Sequence, residues 1–111
     1  MGDGRMTKKN KMTKEMKERV ESVGGEWIDC GNGYYSMIGC GMFCVTAYVA
    51  LPEGHPDIGK DFDDLDPDVN GGLTFGGGGN VFGWDYGHAF NQGSPEEHIK
   101  NALDYFKKRQ K

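Results

Sequence analysis

Met42 to Leu51, MFCVTAYVAL, is an almost unbroken apolar run rich in β-branched and aromatic residues. It is about half the length of a membrane-spanning helix, and Pro52 ends it. A run of this kind is buried on both faces, which places it as a strand inside a sheet and not at its margin. The other segments of this 111-residue chain have to be arranged around it.

An inner strand needs neighbours. Trp27-Ile28 begins a short strand, the Gly-Asn-Gly of 31–33 reads as a hairpin turn, and Tyr34 to Ile38 is a second strand broken by Gly39-Cys40-Gly41. Past the inner strand, Gly71 to Phe75 and Val81 to Tyr86 read as an antiparallel pair around the glycine turn of 76–80. The chain holds 19 glycines, well above the usual share of about 7%. They follow no collagen period and sit between aromatic and β-branched runs, as turns and bulges of a small sheet would.

Two segments have helical periodicity. Met12, Met16, Val20 and Val23 form a stripe from about residue 11 that Gly24-Gly25 stops. At the other end, Ser94-Pro95-Glu96-Glu97 combines an N-cap, a proline at the first helical position and a capping box. Ile99, Ala102, Leu103 and Phe106 then repeat on one face, and Lys107, Lys108 and Arg109 suit the negative end of the dipole. The expected fold is α+β: an antiparallel sheet of about five strands with an N-terminal and a C-terminal helix on one face. Residues 1–10 carry no pattern and are expected to be flexible, leaving 11–111 as a single domain.

Composition excludes several classes. Two tryptophans, five tyrosines and six phenylalanines give a core to bury, so the chain is not a disordered one. No run is long enough to span a membrane, and the basic N-terminus lacks the apolar stretch of a secretory signal. Gly2 follows the initiator, but Met6 stands where a myristoylation motif needs a hydroxyl. The expected location is the cytoplasm. Cys30, Cys40 and Cys44 have neither the number of a disulfide framework nor the spacing of a zinc site, and read as structural thiols.

Charge is distributed unevenly. Between Glu53 and Asp68 lie seven carboxylates and one lysine, formally −6, whereas the whole chain carries −4 and the remainder is therefore about +2. Within this stretch Gly54-x4-Gly59-Lys60 imitates a phosphate-binding loop. Asp61 stands where the Mg²⁺-binding hydroxyl belongs, and DFDDLDPD follows where a helix should open, so nucleotide binding by this motif is excluded. Asp64-x-Asp66-x-Asp68 matches the start of a calcium loop, but Pro67, Val69 and Phe75 break it, and no metal or other cofactor is expected. Two readings stay open. Glu53, Asp57, Asp61, Asp63, Asp64, Asp66 and Asp68 form a protein-binding surface that imitates nucleic-acid phosphates, or they are a solvated loop.

A second cluster is FGWDYGHAFN, residues 82–91. Asp85 and His88 have the spacing of an orienting carboxylate and an imidazole base, but no nucleophile accompanies them, and the catalytic assignment is none. The bland alternative is that Asp85 accepts backbone amides at its strand end. Phe82, Trp84 and Tyr86 share one strand face, which is core or, if exposed, a stacking surface. His55, Lys60, Asn70, Thr74, Trp84, Asp85, Tyr86 and His88 are the candidate ligand-binding residues. His98, in the first turn of the last helix, reads as a surface residue.

Four motifs occur in order: PEGHP at Pro52 to Pro56, GKDFDD at Gly59 to Asp64, NGGLTF at Asn70 to Phe75, and GWDYGHA at Gly83 to Ala89. Together with the valine-rich strand before them they resemble a family of short bacteriophage and prophage proteins. In that family the position of Asn70 is more often histidine, a departure that weakens any catalytic use of it. The resemblance implies a phage origin and no activity. It suggests a counter-defence, anti-CRISPR-like binder acting in the cytoplasm of an infected bacterium. The expected partner is a host protein with a basic surface, above all an RNA-guided nuclease. The alternatives are a sponge for a cyclic-nucleotide signal, its site shared between subunits of a homo-oligomer, and a small hydrolase using Asp85 and His88.

Overall fold

The computed structural model describes residues 25–40, 44–87 and 93–110. The helix expected at 11–23, the flexibility expected of 1–10 and His88 lie outside the described residues. Within them, strands β1 (Ile28–Asp29), β2 (Tyr35–Cys40), β3 (Val45–Ala50) and β4 (Val81–Asp85) form one antiparallel sheet in the order β1-β2-β3-β4. One helix, α1 (Pro95–Arg109), packs against it, so the class is α+β.

The apolar run does take the inner position: β3 is paired on both sides, Met37 opposite Tyr48 and Val49 opposite Phe82. Its alternate side chains serve two cores. Ala47 and Val49, with Phe82 and Trp84 beside them, face Ile99, Ala102 and Phe106 of α1. Phe82 and Phe106 stack with ring centres 5.6 Å apart. On the opposite face Met37, Tyr48, Ala50 and Val81 pack with Trp27, Tyr35 and Phe75.

Several boundaries differ from expectation. The sheet has four strands among the described residues, not about five. Gly71 to Phe75 contributes a single bridge, Phe75 to Gly83, because Gly71, Gly72 and Gly76 hold positive φ angles of 70°, 80° and 140° that bend the chain away from a ladder. β2 does not break at Gly39: it continues to Cys40, with Gly39 paired to Thr46. The 31–33 turn forms as expected, with Gly31, Asn32 and Gly33 all at positive φ and the Cys30 amide bonded to the Tyr34 carbonyl.

The helix starts where its sequence says. The Ser94 hydroxyl accepts the Glu97 amide at 3.1 Å, and Pro95 opens the first turn. No helix among the described residues is long and apolar enough to cross a membrane.

Candidate functional site

The first motif, PEGHP with the residues after it, folds into a clasp on the end of α1. Successive turns bond His55 N to Pro52 O, Ile58 N to His55 O and Lys60 N to Asp57 O, with Gly54 and Gly59 at positive φ. These turns drive two polar side chains inward: His55 is 3% exposed and Asp57 0%. Nδ1 of His55 accepts the Asp57 amide at 3.0 Å, so the proton resides on Nε2. Nε2–H donates to the Phe106 carbonyl at 2.9 Å. That carbonyl is one of the last four of α1, and Gln110 N bonds Lys107 O instead, so the imidazole satisfies an acceptor the helix cannot.

Asp57 completes the clasp. Arg109 donates Nε to Oδ2 at 2.6 Å and Nη2 to Oδ1 at 3.0 Å, and the Lys60 ammonium stands 3.0 Å from Oδ1. Burial raises the Asp57 pKa, but the bonds from Arg109 and Lys60 outweigh it and hold the carboxyl below the usual carboxylate range. Tyr34 lies nearby: its phenol is pushed up by burial and by the Asp57 charge, and its hydroxyl donates to Gln110 Oε1 at 2.7 Å. Asp57 therefore leaves the set of docking carboxylates, a correction with a plain cause. It neutralises a helix-end arginine inside the protein and shows no face to a partner. His55 and Lys60 are committed to the same clasp.

The remaining acids behave differently. After a single 3-10 turn, Phe62–Asp64, Leu65 is extended at φ −128° and ψ 148°, and the chain bends at Asp68, where the Val69 amide donates to the Pro67 carbonyl at 2.9 Å. Leu65 and Val69 are 6% and 7% exposed and Pro67 is fully buried, whereas Asp64, Asp66 and Asp68 are exposed between them. Burial thus alternates along D-L-D-P-D-V, with apolar groups in and carboxylates out. Pro67 fits because an extended φ suits it and no ladder amide is needed there. With Asp61 and Asp63, also exposed, Asp64, Asp66 and Asp68 give five exposed carboxylates within residues 61–68, the acidic row.

The row is fastened to the body. Tyr105 Oη accepts the Asp66 amide at 2.9 Å, Asn101 Nδ2 donates to the Asp68 carbonyl at 3.0 Å, and Phe62 N bonds Gly76 O at 3.2 Å. Asp61 lies over Gly77, where a Cβ would stand 2.8 Å from Oδ1. Glu53 is exposed on the adjoining turn. Among the described residues, no three His, Cys, Asp or Glu side chains gather to hold one metal ion.

The second cluster is described as far as Gly87. Asp85 Oδ1 accepts the Gly87 amide at 3.1 Å, and the buried Asn70 donates Nδ2 to the Asp85 carbonyl at 3.1 Å. The Thr74 amide donates to the Gly83 carbonyl at 2.8 Å, and its side chain is exposed. Trp84 is 1% exposed and belongs to the core, so its ring presents no stacking face. Its Nε1 donates to Tyr86 Oη at 2.9 Å, and Tyr86 Oη lies 2.6 Å from His98 Nδ1, the two rings stacked at 5.7 Å. Burial pushes the Tyr86 phenol up, the Trp84 bond opposes this and Glu96 and Glu97 add to it, so the hydroxyl stays protonated at neutral pH. His98 is not a surface residue: it is 7% exposed, with Nδ1 against the Tyr86 hydroxyl that accepts from Trp84.

Two residues that hold the row, Asn101 and Tyr105, carry no motif; sequence marks them only as positions of α1 off its apolar stripe. The alternation D-L-D-P-D-V is a period-2 signal that was present in the sequence and masked by Pro67. No known protein family, curated protein or solved structure matches this chain.

Proposed function

We propose that this protein is a non-enzymatic binder that docks its acidic row on a basic surface built for nucleic acid. The observation that carries the reading is the alternation at 64–69: Asp64, Asp66 and Asp68 point outward while Leu65, Pro67 and Val69 are anchored in the core. A loop kept acidic only for solubility has no need of such an anchor. A concentrated set of exposed carboxylates on an anchored segment is the charge that a basic, phosphate-binding surface attracts. Because the row is held before binding, little ordering entropy is lost on association.

The phage-like motifs point to the setting: inhibition of a bacterial defence component, with an RNA-guided nuclease the first partner to test, since its guide and target channel is basic. Asp61, Asp63, Asp64, Asp66 and Asp68 carry the contact, with Glu53 at its margin.

The test is association with a purified RNA-guided nuclease by the wild type and by a variant with Asp61, Asp63, Asp64 and Asp66 changed to lysine. Association of the wild type slows as salt rises, and the variant does not compete with nucleic acid. Unchanged binding by the variant would end this reading.

A further inference from the structure

We draw no further inference here: the strongest candidate, the side-chain cluster of Cys44, Thr46 and Asp85 at the end of the β3–β4 pair beside Gly87, rests on a lone thiol with no second observation that points to a ligand.

Discussion

Asp57 and Arg109 lie 52 positions apart in the chain, yet the carboxylate of one accepts two hydrogen bonds from the guanidinium of the other, at 2.6 and 3.0 Å. The bond ties the PEGHP segment to the last turn of α1. It also divides the acidic stretch in two: one carboxylate turned inward to hold the fold, and a row turned outward.

Removing the inward one is costly. Asp57→Ala leaves Arg109 and Lys60 without their shared anion and opens the end of the helix. The expected loss is about 3 kcal/mol, at the low end for a broken buried pair because Arg109 is partly exposed. Urea titration followed by circular dichroism measures it. A loss below about 1 kcal/mol would show that the clasp does not hold the helix.

The same pair sets an acid limit. The folded-state pKa of Asp57 is lowered, so its contribution to stability is complete above the unfolded value of about 3.9 and declines as pH falls through the folded value. The urea midpoint should therefore drop as pH is lowered below about 4. In Asp57→Asn that part of the acid dependence disappears, and unfolding series at several pH values compare the two slopes.

His55→Ala deprives the Phe106 carbonyl of its donor and the Asp57 amide of its acceptor in a closed space. The expected loss is about 1–3 kcal/mol for polar groups left buried and unpaired. The acidic row lies beyond the clasp, so binding to the RNA-guided nuclease by the folded fraction should persist. A variant that keeps its stability and loses binding would instead make His55 part of the site.

Tyr105→Phe removes the oxygen that holds the Asp66 amide. Global stability should change by no more than about 1.5 kcal/mol, the ordinary worth of one hydrogen bond. Hydrogen exchange at Asp66 should accelerate more than exchange in β3, since the change is local. Equal acceleration in both would mean that the row and the sheet open as one unit.

Gly83 lies under the Tyr48 ring: a Cβ there would stand 2.4 Å from Cδ2 and 2.9 Å from the Ala47 carbonyl. Gly83→Ala has to displace the ring, which is itself packed edge-on against Phe75, or shift the β3–β4 ladder. A loss of about 1–3 kcal/mol is expected from overpacking, and thermal unfolding reads it.

The sequence by itself determined the features that depend on neighbours along the chain. The start of α1 follows from Ser94, Pro95 and Glu97, whose capping acts within one turn. The inner place of β3 follows from apolar groups on both its faces, since each face needs a cover. The alternation of acidic and apolar residues at 64–69 was equally local and stood in the sequence as D-L-D-P-D-V. What only the tertiary structure decided is which of seven similar carboxylates is buried. Asp57 and Asp66 are the same residue type in the same acidic stretch, and what the far end of the chain places beside each is different. Arg109 meets one and the Tyr105 hydroxyl holds the backbone of the other, contacts 52 and 39 positions distant. The energy of a buried charge depends on its partner across space, and a lone chain segment does not specify that partner. For the same reason Trp84 and His98 became core residues joined through Tyr86: their hydrogen-bonding groups found each other only when α1 closed on the sheet.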